Sequence, residues 1–325
     1  MAIGYGAATV YLDGRIDVWI RILAFVVAGF ALYRLGTFMH EIVHMRHDEM
    51  NVFKFCWNVA NGVQLVTPSH FYLNHIDHHN TGMYGTGNDG EYLPVGRGPV
   101  AHVLNYALTA LLLPLWVGVR FMVITPLTLI PAVNRWAREH WSSFVTNFKY
   151  RRAVEPQHWM WTALEWWCCF RLWMVVVLIA TGAAPWLRLP QIYALGAFVM
   201  SLNLARAMVS HRWHGDGERM SHHAQILDST TMDGGWLTEL ICPLGMRYHA
   251  LHHLFPGMPY HNLGIAHRRL MRALPATSPY RQTVCSGFWA AFVNGLRDAR
   301  AEADSGGANS TRWYAARDRQ LQDTA

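Results

Sequence analysis

The sequence is short of charge. Only 15% of its 325 residues are charged, whereas 52% are hydrophobic and the mean hydropathy is slightly positive. Average globular chains carry about 25% charged residues, so this composition argues against a wholly water-soluble domain. The 15 Trp and 13 Tyr are residue types that favour the boundary between lipid and water. We therefore expect membrane spans joined by sizeable polar segments.

Cysteine pairs and nucleic-acid motifs are also missing. The five cysteines form no C-x-x-C pattern and no even-numbered framework, which predicts reduced thiols used mainly for packing. The net charge is +6, but the basic residues are scattered without a nucleic-acid-binding motif, so we expect no nucleic-acid partner. The N-terminal stretch "MAIGYGAATVYLDGRIDVWI" lacks the basic start and cleavage site of a removable signal peptide.

Long apolar runs are present instead. A helix needs about 20 apolar residues to cross a bilayer. The regions expected to lie in the membrane are 18–38, 100–133, 161–184 and 191–209. Pro185 and Pro190 separate the last two regions, which predicts a hairpin of two spanning helices.

Two apolar stretches do not fit a simple span. Region 100–133 exceeds one span and is short for two, and Pro114 and Pro126 are its expected kinks. Its chain must return to the starting side, which requires a tight hairpin or a re-entrant arrangement. The stretch 52–66 is too short and too polar to span, so we expect an interfacial or re-entrant helix there.

Histidines recur beside the apolar regions in spaced groups: "HEIVH", "HIDHH" and "HALHH". On a helix, positions i, i+3 and i+4 share one face, so each group projects its imidazoles together. Imidazole is a ligand suited to iron, copper and zinc. Two triplets and one pair therefore predict a metal site. Its histidines are His40, His44, His75, His78, His79, His249, His252 and His253.

The number of histidines bears on the metal. One zinc ion takes about four ligands, so eight histidines suit two ions with roughly four each. A ninth candidate, His211, ends the fourth apolar region in "SHRWHG", where His214 is the competitor. Two irons with nearly all-histidine ligation and open positions can bind dioxygen and attack an unactivated C–H bond.

These three motifs resemble the histidine boxes of the membrane fatty-acid desaturase and hydroxylase superfamily. The resemblance covers roughly residues 18 to 298, and "YGTGNDGEYLP" and "RYHALHHLFPGMPYHNLGIAHRRL" look like bacterial acyl-lipid desaturase-like members. It implies an all-α integral-membrane helix bundle with a cytosolic histidine-rich cap that holds a di-iron centre. It also implies a lipid or acyl substrate, O2, and two electrons from a separate donor of ferredoxin or cytochrome b5 type.

The resemblance carries over residue by residue. By match of motif, the eight box histidines and His211 become iron ligands, although position 207, where relatives often place Asn, is Ala. Carboxylates close to the boxes are candidates for holding a ligand imidazole N–H. They are Glu41, Asp77, Asp228 and Asp233. We expect one catalytic domain over 1–298 and a loose polar tail over 299–325.

Desaturation of a fatty acyl chain is the reaction we expect first, and lipid or carotenoid hydroxylation or ketolation is the alternative in the same superfamily. An intramembrane zinc metalloprotease would use Glu41 as its base and Asp233–Gly234 as a later motif, but it leaves both triplets idle. A non-catalytic metal-binding membrane protein would need acids along a pathway inside the spans, where Glu165 is the only one.

Basic clusters orient the chain. Lys and Arg near the ends of spans favour the cytoplasmic side of a membrane. We therefore expect a multi-pass protein with its active site on the cytoplasmic side, and the resemblance to bacterial members implies that the membrane is a bacterial inner membrane. The clusters are Lys149, Arg151 and Arg152, and Arg268, Arg269 and Arg272.

Overall fold

The structure, a computed structural model, describes residues 1–95, 98–154 and 158–323. Within these ranges the chain is helical with one minimal pair of strands, β1 Thr231–Met232 and β2 Val284–Cys285. The helices are α1 Ala2–Leu12, α2 Val18–Gly36, α3 Phe38–His44, α4 Asn51–Trp57, α5 Asn74–His79, α6 Pro99–Val119, α7 Thr125–Leu127, α8 Pro131–His140, α9 Trp159–Ala180, α10 Arg188–Ser210, α11 His222–Asp228, α12 Trp236–Ile241, α13 His249–Leu254, α14 Tyr260–Ala273, α15 Pro279–Gln282, α16 Phe288–Asp304 and α17 Ala308–Asp323. Asn58–Gly62 and Arg120–Ile124 are π-helical, and Ser69–Tyr72 is a 3-10 helix.

Four helical stretches of the described chain are long and apolar enough to cross a membrane. They are Val18–His44, Pro99–Leu127, Trp159–Ala180 and Arg188–Ser210. Large apolar side chains such as Trp19 and Leu23 are exposed on their outer faces, as expected where lipid is the solvent. The predicted all-α membrane bundle is confirmed.

The helix α2 places the first histidines. It begins where the Asp17 carboxylate accepts the Trp19 N–H at 2.8 Å, a side-chain cap of the first turn. It is followed at once by α3, so "HEIVH" lies at the far end of the first span. Gly29 lets α10 approach closely, because an added Cβ would lie 2.2 Å from the Phe198 ring.

Region 100–133 folds differently from the two arrangements expected for it. Pro99–Leu127 is one continuous helical path, and the chain turns back only after it, into α8. The Trp141 ring lies 5.5 Å from the Trp116 ring, and the Arg120 guanidinium donates to the Trp141 carbonyl at 2.7 Å. The returning segment therefore packs beside the end of this helix. In 52–66, α4 and the π-helical turn Asn58–Gly62 form a helix too short to span.

Glu165, the acid inside the third span, is buried in a charge cluster. Its carboxylate lies 2.6 Å from the Arg120 guanidinium and 3.2 Å from the His70 ring. A buried carboxylate requires such partners, since burial of an isolated charge is costly. The position of Glu165 is thus explained by an ion pair between helices.

The C-terminal segment differs most from its prediction as a loose tail. Residues 299–323 complete α16 and form α17, and the Trp313 side chain is fully buried. Its indole N–H donates to the Gly85 carbonyl at 2.8 Å, and its ring packs with Tyr84 and Tyr92. The prediction was wrong for these residues because the polar composition of α17 concealed one aromatic anchor. The boundary at 298 falls inside α16.

Replacing Trp313 with Ala tests this anchor. Loss of a buried Trp costs roughly 3–5 kcal/mol, so we expect faster hydrogen exchange across α17 and a lower melting temperature in detergent. Trp236→Ala is the control, because the Trp236 side chain is 79% exposed. Equal protection of α17 in both variants would contradict a packed C-terminal helix.

Candidate metal centre

All nine histidines singled out in the sequence come together at one end of the spanning helices. The short helices α3, α5 and α13 carry the three boxes, and His211 directly follows α10. Two of the short helices are held by local contacts: the Asn74 amide of α5 donates to the Phe144 carbonyl at 3.1 Å, and α13 buries Ala250 and Leu251 against Leu263. These contacts fix the orientation of α5 and α13 and therefore the direction in which their imidazoles project.

The nine imidazoles form two groups. Within each group, one ring nitrogen from every member lies within 4.8 Å of the others. The first group is His40, His44, His75, His79 and His252, and the second is His78, His211, His249 and His253. The groups adjoin, since the His79 and His253 rings stack with centroids 4.2 Å apart. Both H-x-x-H-H triplets are therefore divided between the two groups.

The inner nitrogens crowd together. The His211 Nε2 lies 3.0 Å from the His78 Nε2 and 2.8 Å from the His249 Nε2, and the His79 and His252 Nε2 atoms are 3.0 Å apart. Nitrogens bound at about 2.0–2.1 Å to one tetrahedral metal lie at a similar separation. A convergence of this kind fits ligands that share an ion.

Buried ring nitrogens that lack a hydrogen-bond partner also indicate that these histidines bind a metal ion. Among the described residues, both ring nitrogens of His40 and the Nε2 of His44 are buried without a hydrogen-bond partner. Leaving a buried polar atom unsatisfied costs about 1–3 kcal/mol. A metal ion is the partner that this all-imidazole donor set accommodates.

The electrostatics favour the ligating form of the rings. Burial, reinforced by repulsion from neighbouring imidazoles, holds the pKa values of His79, His252 and His253 well below the ordinary value. The same causes lower the pKa of His211. Neutral imidazole is the form that binds metal, so these rings are prepared for ligation at neutral pH.

Two carboxylates that the sequence reasoning missed orient the second box. The Glu91 carboxylate lies 2.8 Å from the His75 Nδ1, and the fully buried Asp89 lies 2.9 Å from the His78 Nδ1. Backbone N–H groups of Gly85 and Glu91 donate to Asp89 and fix it. Each carboxylate holds the outer N–H, so the inner nitrogen faces the group. The only signal was the acidic stretch "NDGE" soon after "HIDHH".

The pKa values of His78 and Glu91 are shifted by their surroundings. Burial opposes the charged form of His78, but the carboxylates of Asp89, Glu91 and Asp228 together outweigh it and raise the His78 pKa. Burial also raises the pKa of Glu91 to about 7, against the opposing influence of His78.

His211 is oriented through a tyrosine. The Tyr84 hydroxyl lies 2.8 Å from the His211 Nδ1 and donates to the Asp228 carboxylate at 2.8 Å. A second hydroxyl, from Tyr92, donates to the same carboxylate at 3.1 Å. Asp228 thus acts on His211 through Tyr84. The competitor His214 lies outside both groups, with its Nε2 3.2 Å from Asp298.

The other three carboxylate candidates have different neighbours. Glu41 accepts the Tyr260 N–H at 3.2 Å, and its other oxygen is 3.9 Å from the His40 Nδ1, beyond hydrogen-bond range. Asp77 accepts the Tyr150 hydroxyl at 2.6 Å.

Asp233 lies 3.1 Å from the Nε2 of His267, a buried histidine outside both groups. With Asp233 directed to His267, the pairing of "HEIVH" with Asp233–Gly234 required by the protease alternative is not assembled.

Comparison with known proteins agrees with the motifs. The fatty acid desaturase family model matches residues 17–284, which contain both histidine groups. The chain is 36% identical over 282 residues to a protein named ceramide hydroxylase from Caulobacter vibrioides, covering 85% of this chain and 80% of that relative. No solved structure matches the chain.

Asp89→Asn and Glu91→Gln test the role of the two carboxylates. Loss of the partner that orients a ligand histidine typically weakens metal binding 10–100-fold, so we expect that loss in affinity for iron. Chelator competition followed by metal analysis of the purified protein measures it. Asp233→Asn is the matched control, because Asp233 contacts His267 instead. Unchanged retention of iron in both test variants would rule out the orienting role.

Proposed function

Because the chain belongs to the fatty acid desaturase family, we propose that it hydroxylates a saturated carbon of a ceramide-like membrane lipid with O2 and two electrons. The observation that carries this proposal is the pair of adjoining, all-histidine groups at the end of four apolar helices. The relative named ceramide hydroxylase, similar over most of both chains, favours a ceramide-like substrate and hydroxylation.

We propose two iron ions, one held by the group around His40 and one by the group around His211. Five and four imidazoles in two separate groups exceed what a single ion takes. Iron in such a site supplies dioxygen activation and oxidation of an unactivated C–H bond.

The protein's own contribution is orientation and exclusion of water. Glu91, Asp89 and the Tyr84–Asp228 pair hold outer imidazole N–H groups, so each inner nitrogen presents its lone pair to the centre. Seven of the nine histidines are buried and His44 and His79 are partly buried, which limits the access of solvent to the centre. A dry, preorganised site strengthens every electrostatic interaction in it and limits side reactions.

Desaturation is the second candidate, favoured by the family match itself. Hydroxylation turns C–H into C–OH and releases the other oxygen atom as water, with two electrons and two protons consumed. Desaturation removes hydrogen from two neighbouring carbons and releases both oxygen atoms as water for the same two electrons and two protons. The outcome depends on where the substrate carbons lie relative to the centre.

We propose that the electrons come from a separate ferredoxin or cytochrome b5 type protein at the cytoplasmic face of a bacterial inner membrane. Exposed Arg268, Arg269 and Arg272 on α14 form a basic surface next to the third histidine box. A basic surface suits an acidic electron carrier, since complementary charge speeds encounter.

Metal analysis tests the centre. We expect about two irons per chain in the purified protein, because two groups of imidazoles are present. His252→Ala removes a member of the first group, whereas His214→Ala removes a histidine outside both. We expect iron loss only in the former. One zinc and no iron in the unaltered protein would defeat the proposal.

Mass spectrometry of lipids from an expressing host tests the reaction. We expect ceramides heavier by one oxygen atom in cells with the unaltered protein and none above background with His78→Ala. A host that makes ceramide is required, and the same host with an empty vector is the control. Lipids lighter by two hydrogens instead would establish desaturation and reject hydroxylation.

A further inference from the structure

A cavity of about 240 Å³ opens directly beside His211. Its walls come from the chain just after α10, from β2 and the residues before it, and from one face of α16. We infer that this cavity binds the polar head of the lipid substrate and selects a head group made of neutral amide and hydroxyl groups. The inference rests on the proposed function and names the part of the molecule that recognises the lipid.

The face of α16 that lines the cavity leaves space for a bound molecule. Ala291, Asn294, Gly295 and Asp298 line the cavity and follow the spacing i, i+3, i+4 and i+7 of one helix face. An added Cβ at Gly295 would meet no heavy atom within 4 Å. Glycine weakens a helix relative to alanine, and close packing does not require it here. The effect of Gly295 is to leave room in the cavity between the side chains of Asn294 and Asp298.

The walls supply neutral donors and acceptors. Thr230, Thr283, Gln282 and Asn294 line the cavity with hydroxyl and amide groups. The Thr283 hydroxyl donates to the Tyr280 carbonyl at 2.7 Å, so its oxygen lone pairs are left to accept from an occupant. These groups match the amide and hydroxyls of a ceramide-like head.

The charged side chains of the cavity are largely compensated. The Asp298 carboxylate lies 3.1 Å and 3.3 Å from two nitrogens of Arg212 and 3.2 Å from the His214 Nε2. Arg297, the remaining charged residue of the lining, is exposed at the rim. Because Arg212 and Asp298 neutralise each other, Arg297 is the one cation of the described lining left for a phosphate, so the lining as a whole favours a neutral head group.

The same helix offers a path to the membrane. Phe292 packs against the cluster that contains Tyr106 of α6 and Leu204 of α10, which places α16 beside two spanning helices. Trp289 and Val293, exposed at the next face of α16, present apolar surface with the indole typical of a lipid boundary. A lipid can keep its chains along this face while its head enters the cavity next to His211.

Filling the cavity tests the inference on the full-length protein in detergent. The probe is radiolabelled C16-ceramide, with palmitic acid and phosphatidylglycerol as comparison lipids. We expect Gly295→Phe to weaken ceramide binding at least about tenfold, and Gly295→Ala to change it less than about twofold. Gly118→Phe is the matched control, since Gly118 of α6 also has open space around it but lies away from the cavity. Unchanged ceramide affinity in Gly295→Phe overturns the inference.

Asn294→Leu provides a second test that removes hydrogen bonding at nearly constant volume. We expect it to weaken ceramide binding and to leave palmitic acid binding unchanged. Equal loss for both lipids, or tighter binding of phosphatidylglycerol than of ceramide by the unaltered protein, rejects selection of a neutral head. Iron content equal to that of the unaltered protein shows that each variant is folded.

The two proposals fail separately. In one outcome, the unaltered protein binds ceramide, Gly295→Phe abolishes that binding, and cells yield no oxidised lipid. That outcome refutes the hydroxylation and supports the head-group site. Production of hydroxylated ceramide by Gly295→Phe, with binding as in the unaltered protein, refutes the head-group site and supports the hydroxylation.

Discussion

The packing of nine imidazoles, seven of them buried, at the end of a membrane bundle is the constraint on which the structure depends. Buried ring nitrogens without partners, such as those of His40, are costly unless an ion satisfies them. The rings come from α3, α5, α13 and the end of α10, so their convergence requires helix ends from distant parts of the sequence to meet. Binding energy at a metal site becomes folding energy, so an ion bound by these rings would stabilise the packing of the helix ends that carry them.

A chain of contacts carries this constraint to the C-terminus. Trp313 of α17 donates to the Gly85 carbonyl, and the Gly85 N–H donates to Asp89, which holds the outer nitrogen of His78. The chain from Gly85 to Asp89 is therefore held on one side by α17 and on the other by His78. A segment outside the family match thereby supports residues inside it. Its polar composition alone gives no reason to expect this support.

Much of the site could be predicted from the sequence because its spacing is local. Positions i, i+3 and i+4 bring imidazoles to one helix face whatever the surroundings. The division of each triplet between two groups could not be predicted, since it depends on how α5 and α13 dock. Asp89 and Glu91 could not be predicted for the same reason. The loop that carries them folds back onto α5, and no periodic pattern in the sequence predicts that contact. For the spans, apolar length sufficed, but the return of the chain through α8 depends on the packing of Trp141 and Arg120.

His211 links the two halves of the proposed function. Its Nε2 faces the second metal group, and the residue also lines the cavity whose far wall is α16. The family match ends at residue 284, before α16 begins, so the matched region contains both histidine groups but not that wall. In the proposed function His211 lies where the metal group meets the head-group cavity, because a reaction at an unactivated carbon needs the lipid held where the oxidising centre reaches it.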